Sequence, residues 1–157
     1  MTEPIEFLIV QNLQAALQAI SVAGGYHHDV AALAVKLDPD QDVEALLGEQ
    51  KKRPFLVIEL TPDEWEYSPS KMVTLRLPAV IHFVNDSDPT NDSSWLQTYL
   101  RLCADVEQAI AVDIARGGRA IDTRVTTREF QSFGGGQVWA MVKATISVRR
   151  IYGAPNA

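Results

Sequence analysis

Cysteine is almost absent from this chain of 157 residues: Cys103 is the only one. No intrachain disulfide can form, so a packed core has to hold the fold, and the composition fits a reducing compartment. Nothing cationic flanks Cys103, which makes it a poor nucleophile. Long apolar runs are also missing. None approaches the roughly 18 residues that a membrane-spanning helix needs. The first residues carry Glu3 and Glu6 without a basic stretch, so they do not read as a secretory signal. An excess of positive charge is lacking as well. Lys and Arg number 14 against 20 Asp and Glu, a net charge of -6, which argues against tight sequence-specific duplex binding. A mildly acidic wall remains compatible with DNA sliding past it.

Motifs for chemistry are equally sparse. His27-His28-Asp29 is the one His/acid cluster, and adjacent residues of an extended chain point to opposite sides. They do not supply the three converging ligands of a metal site, so an ordinary turn is the simpler reading. Gly134-Gly135-Gly136 precedes neither Lys-Ser/Thr nor a helix, which makes it a hairpin turn rather than a phosphate loop. Gly117-Gly118 precedes a strand and reads the same way. The serines lack a G-x-S-x-G setting. No catalytic residue, metal ligand or cofactor site is assigned, and an enzyme ranks below a structural or binding role.

The composition is 46% hydrophobic and 22% charged, ordinary for one folded domain spanning residues 1–157. The strongest local signal is a helix over Asp92–Gly118. Trp95, Tyr99, Leu102, Cys103, Val106, Ile110 and Ile114 recur at helical spacing. Leu96 and Leu100 widen that stripe, while Gln97, Arg101, Asp105, Glu107 and Gln108 form the opposite, polar face. Asn91 or Asp92 is the expected N-cap, and Gly117-Gly118 the stop. On the apolar stripe Cys103 serves as a small hydrophobe.

Pro4–Ser21 reads as a first helix, with Thr2 or Glu3 as cap, Pro4 at the first position and a stripe of Ile5, Ile9, Leu13, Ala16, Leu17 and Ile20. Gly24-Gly25 ends it. Val30–Val35 reads as a short strand, Asp38-Pro39-Asp40 as a turn, and Asp42–Leu47 as one or two helical turns capped by Asp42. Phe55–Leu60 is a near-continuous apolar run, as in a sheet interior. Thr61–Lys71 reads as a polar loop carrying Trp65 and Tyr67. Met72–Val84 alternates cleanly, but Pro78 predicts an edge or bulged strand. Ile121–Arg128 is a more polar strand, Phe130–Gly136 a turn, and Val138–Val148 a final strand, so the last two strands form a long antiparallel hairpin. Residues 153–157 read as a frayed tail. The expected fold is α+β, with an antiparallel or mixed sheet of four to five strands against two main helices.

Two surfaces invite an interaction reading. In the Thr61–Lys71 loop, Trp65 and Tyr67 stand among acids, and aromatics are enriched at interface hot spots. The alternative is that both fold back onto the domain. On the outward face of the hairpin, Trp139, Met141 and Ile151 accompany Arg124, Arg128, Lys143 and Arg149, an apolar and basic strip larger than a monomer needs. The alternative is that the first helix covers it.

Taken in order, the helix Ile5–Ile20, the run Gly24-Gly25-Tyr26-His27-His28-Asp29-Val30, the strand Pro54-Phe55-Leu56-Val57-Ile58, the segment Asp105-Val106-Glu107-Gln108-Ala109-Ile110, its end at Arg116-Gly117-Gly118 and the final Ile151-Tyr152 span nearly the whole chain. This pattern resembles the tail terminator (tail completion) proteins of long-tailed bacteriophages and prophages. Each motif is short, and their order carries the resemblance. It implies a small α/β domain that assembles as a homohexameric ring on the last ring of the tail tube. Such a ring stops tube polymerisation and presents the surface joining tail to head. The partners implied are the tail tube protein and a head-completion or connector protein, with DNA passing through the lumen unread and no membrane. The protein is then made in the host cytoplasm and resides in the virion, at the head-proximal end of the tail. No catalysis and no cofactor are implied.

Three other readings compete. One is a different neck or minor tail ring, of the head-closure type, which a portal-side rather than tube partner would reveal. A second is a small-ligand-binding or enzymatic α+β domain, using His82, Tyr99 or Asp105 in a pocket between the long helix and the sheet. A third, a toxin–antitoxin or regulatory partner, is disfavoured by the acidic balance and the absence of a recognition motif.

Overall fold

The computed structural model describes residues 3–36, 40–61, 64–67, 72–88, 90–91, 93–134 and 136–151. The tail at 153–157, the caps expected at Thr2 and Asp92 and the first residues of the Asp38-Pro39-Asp40 turn lie outside them. The fold is α+β. Its elements are α1 (Ile5–Gln18), β1 (Ala32–Val35), α2 (Val43–Glu49), β2 (Phe55–Leu60), β3 (Glu64–Tyr67), β4 (Met72–Asp86), α3 (Ser94–Ala111), β5 (Asp122–Gly134) and β6 (Gln137–Ile151). Six strands form one mixed sheet in the order β1-β2-β4-β6-β5, with β3 also paired to β4. Among the described residues, only β1 and β2 run parallel, and α2 lies in the crossover between them.

Alternation in the strands builds the core. Val73, Leu75, Leu77, Ala79, Ile81 and Phe83 of β4 and Ala140, Val142, Ala144, Ile146 and Val148 of β6 all face one way and are buried. Against them lie Ile9, Leu13 and Leu17 of α1 and Leu102, Cys103, Val106 and Ile110 of α3. Each such aliphatic side chain contributes about 2 kcal/mol by leaving water. On the other face, Leu47 of α2 covers a smaller cluster of Phe55, Val57 and Val84. β2 is an interior strand, as its apolar run predicts, and Asp42 caps α2 by accepting from the Glu44 N–H at 3.0 Å.

Several expectations need correction. Pro78 does not put β4 at an edge. β4 lies between β2 and β6, and its pairing with β6 runs unbroken through Pro78 opposite Thr145. The Pro78 carbonyl accepts from the Thr61 N–H, so its missing donor faces the same side. There the partner strand changes: β2 ends with Leu60 opposite Ala79, and β3 begins with Glu64 opposite Arg76. The proline thus sits where no ladder donor is required.

Part of the expected Thr61–Lys71 loop is strand β3, which brings the strand count to six rather than four or five. The expected turn at Phe130–Gly136 is mostly strand too. β5 runs to Gly134 and β6 starts at Gln137, with Gly136 at φ 78°, a conformation that favours glycine.

α3 is shorter than Asp92–Gly118. The guanidinium of Arg116 donates to the Ile110 carbonyl near the helix end, and residues 112–118 form turns. Gly117 and Gly118 adopt φ of 72° and 79°, but after the helix has stopped. Ile114 is consequently half exposed rather than part of the stripe. At the other end, Asn91 accepts from the Ser93 N–H and hydroxyl, one turn ahead of the helix. α1 begins with Pro4 as its N-cap, and no side chain among the described residues caps it.

Candidate interface surfaces

β3 holds Trp65 and Tyr67 as an edge extension of β4 rather than in a free loop. Trp65 stands opposite Leu75 on the helix side of the sheet and keeps substantial exposure. The side chain of Tyr67 lies outside the described residues. On the other side of the same strand, Glu66 receives Arg76 at 2.8 Å.

The hairpin does not present one continuous basic and apolar strip. The ladder shifts between Val125 and Thr127, placing Thr127 opposite Lys143 and Arg128 opposite Val142. A bulge flips the side-chain alternation beyond it. Arg128 therefore moves from the outward face to the helix face, where it stands 3.6 Å from Glu107 of α3. Phe130 follows it there and packs on Trp95 and Tyr99 at ring distances of 5.0 and 5.4 Å. Trp139 does face outward, but the small α2 cluster covers it, and its ring N–H donates to Gln137 at 3.1 Å. The first helix, offered as a possible cover for this face, lies on the opposite side.

Arg124, Lys143 and Arg149 remain outward. Arg124 is paired with Asp122 at 2.8 Å and Lys143 with Glu129 at 3.2 Å, while Arg149 is exposed at the end of β6. Met141 is half buried, and the side chain of Ile151 is outside the described residues. The seven candidate residues thus divide among β3, the α2 cluster, the helix face and the outward sheet.

The built polar sites are elsewhere. Asp105, expected on the polar face of α3, is fully buried. One carboxylate oxygen accepts from the His27 N–H at 2.9 Å. The other accepts from the His28 N–H at 3.0 Å and meets His28 Nδ1 at 2.9 Å. The loop it holds is also closed on itself, since Asp29 accepts from the Val22 N–H at 2.8 Å and Ser21 caps Gly24. Gly25 makes this bend at φ 92°. A carboxylate satisfied by two backbone donors and a ring nitrogen fastens the loop to α3.

On the opposite face, Glu59 joins Lys36 at 2.8 Å and His82 at 3.2 Å. The hydrogen bond from Lys36 holds the Glu59 carboxyl below its ordinary range. Burial depresses His82 despite its carboxylate neighbour, so the neutral ring is favoured and its Nε2–H donates to Glu59. Beside them is a cavity of about 380 Å³ lined in part by Thr61, His82, Lys143 and Thr145. The signal for this trio was one acid in the apolar run of β2 and one histidine in the alternation of β4, two residues that hydrophobic patterning does not explain.

The ligand-binding alternative offers His82, Tyr99 or Asp105 for a pocket between the long helix and the sheet, and the structure sets the three apart. His82 lies on the far side of the sheet, Tyr99 packs on Phe130 and Asp105 is occupied by the loop. Cys103 is buried, and that burial pushes its thiol up to about 11. Among the described residues, no group of three or more His, Cys, Asp or Glu side chains could hold a metal ion. No described helix is long and apolar enough to cross a membrane. No protein-family model matches the chain, and no curated protein matches it either.

Proposed function

We propose that the chain is a non-enzymatic subunit of a phage-type tail terminator, a homohexameric ring that caps the tail tube and offers its other side to a head-completion or connector protein. One observation carries this reading. Two separate stretches of the resemblance pattern, the loop Gly24–Val30 and the segment Asp105–Ile110, are joined through the Asp105 carboxylate and two backbone N–H groups of the loop. A pattern spread along the chain is thereby one physical unit. The sheet adds support. It has two different terminal strands, β1 and β5, and a closed ring of identical subunits requires unlike patches that meet head to tail. DNA would pass along the lumen of such a ring without base recognition, consistent with the net charge of -6.

The test is electron microscopy of the protein mixed with polymerising tail tube protein from the same genome neighbourhood. Short tubes, each ended by an added ring, are expected. Tubes of unchanged length with no protein bound would overturn the proposal. Binding to a portal-side adaptor instead would favour a head-closure ring. A second reading, a small-ligand-binding domain, rests on the cavity beside Lys36, Glu59 and His82, whose volume of about 380 Å³ is at the low end for ligand sites. Native mass spectrometry distinguishes it, because a retained small molecule would add a fixed mass.

A further inference from the structure

Two side chains compete for one place at the end of α3. The apolar stripe of that helix runs through Val106 and Ile110, both buried, and its next member at a spacing of four is Ile114. The helix stops at Ala111 instead, and Ile114 is left 49% exposed. The side chain that goes inside is Arg116, which is fully buried. It also takes the hydrogen bond that a continued helix would use. The Ile110 carbonyl, which the Ile114 N–H would reach in such a helix, accepts from the Arg116 guanidinium.

This arrangement is costly at Arg116. Its φ of 47° is left-handed, a conformation that disfavours any residue with a side chain. Its Nε and Nη1 are buried and find no hydrogen-bond partner among the described residues. Asp113 lies close enough to act on the charge. Its carboxylate, however, accepts from the Gly117 N–H at 2.7 Å and from the Asn12 amide at 3.4 Å. A buried cation with idle donors, where an isoleucine would complete the stripe, works against the turn. Other bonds hold it. The Thr123 hydroxyl donates to the Ile114 carbonyl at 2.8 Å, and the Ala115 carbonyl accepts from the N–H groups of Arg119 and Ala120, each at 2.9 Å. Opposed contributions of this kind give an element two arrangements of similar free energy.

We propose that residues 112–118 are a two-state switch. In the observed state Arg116 is inside and Ile114 outside. In the second state α3 continues through Arg116, Ile114 joins the stripe beside Ile110, and Arg116 points into water. The sequence permits the second state. Residues 94–116 contain neither Gly nor Pro, and Gly117, at φ 72°, already has the left-handed form that stops a helix. Chain length permits it too. Five more helical residues advance the helix by about 7.5 Å, and residues 117–121 can span up to about 17 Å to β5. The two states present different surfaces at one place, aliphatic in the first and cationic in the second. The switch belongs to a single chain, so it does not depend on the ring reading.

The test is NMR relaxation dispersion, with saturation transfer, on the full-length chain, which reads the chemical shifts of a minor state in slow exchange with the major one. Exchange is expected at 112–118, with a minor population of about 1% or more and helical Cα shifts over 112–116. Absence of exchange there, or minor-state shifts like those of an unfolded chain, would overturn the proposal. Two substitutions push the balance in opposite directions. Arg116→Ala removes the contact with the Ile110 carbonyl and suits a helix, so the helical population is expected to rise by about tenfold or more. Ile114→Asn is expected to lower it by about tenfold, because the side chain is half exposed in the turn but would bury an amide in the helix. If both variants shift the exchange in the same direction, or neither shifts it, these two side chains do not exchange places and the proposal is wrong.

Discussion

Two carboxylates, one on each side of the sheet, hold a histidine, and they do different work. Asp105 on the helix side meets His28 at 2.9 Å, and Glu59 on the other side meets His82 at 3.2 Å. Asp105 is fully buried and gives its remaining capacity to backbone N–H groups of a loop 77 and 78 residues earlier in the chain. Glu59 is a quarter exposed and holds only side chains. A buried carboxylate bound to backbone fixes the path of the chain, because nothing else can satisfy those donors once water is excluded. A carboxylate at the edge of a cavity can exchange a side-chain partner for water at small cost. The first pair belongs to the architecture, and the second to a surface whose charge state can change.

The sharpest way to break this comparison is at Asp105. Asp105→Ala leaves two backbone donors without an acceptor and is expected to cost about 3 kcal/mol, read as a lower urea midpoint at unchanged slope. Asp105→Asn retains one acceptor and should cost less. A loss below about 1 kcal/mol for the alanine variant would mean that water replaces the carboxylate and that the loop is not fastened there. Next in size is Trp139→Ala on the opposite face. Trp139 is only partly buried under α2, so about 2 kcal/mol is expected, below the loss for a fully buried tryptophan. Faster hydrogen exchange confined to Val43–Glu49 would confirm that this side chain holds α2, whereas unchanged exchange there would show that Leu47 suffices.

The contrast between the two sites also shows what the sequence revealed. Strands β4 and β6 were legible because burial on one face imposes a period of two, β2 because burial on both faces leaves a near-continuous apolar run, and α1 and α3 because their apolar stripes need a surface to cover. Asp105 was misplaced because helical spacing gives a direction, not a partner. The loop that buries it comes from a distant part of the chain. Arg128 was placed on the wrong face because one extra residue at Thr126 reverses the alternation, and a bulge leaves no mark in a polar strand. Pro78 suggested an edge because the rule concerns one ladder, whereas a strand has two sides and can change partner along one of them. β3 was hidden by its short length and its charges, which suit an edge strand as well as a loop.

Acid should separate the two carboxylate sites further. His82 and Glu59 both have folded-state values below their ordinary ones, so each binds protons less readily in the folded chain than in the unfolded one. The stability linked to each is complete above the ordinary value and drains as the pH falls towards the folded value. For His82 the loss begins below about 6.5, and for Glu59 below about 4.5. Stability measured by urea at successive pH values should therefore fall in two steps. His82→Gln is expected to flatten the first step and leave the second, an effect smaller than that of Trp139→Ala. A first step unchanged in that variant would assign it to another group.

The smallest effect is expected at Arg76 and Glu66, which pair at 2.8 Å across β3 and β4 with both side chains largely in water. An exposed pair of this kind contributes about 0.5 kcal/mol or less, and salt screens it. A double-mutant cycle of Arg76→Ala and Glu66→Ala isolates that coupling from the loss of side-chain packing. The expected coupling disappears in about 0.5 M salt, where the Debye length is only a few ångströms. A coupling well above about 1 kcal/mol would show a cooperative contact, with β3 docked on β4 largely through this ion pair rather than through its backbone ladder. In that case the short strand carrying Trp65 would release from the sheet at high salt, and proteolysis within 64–67 would rise with ionic strength. Constant resistance to cleavage is the outcome that the paired backbone predicts.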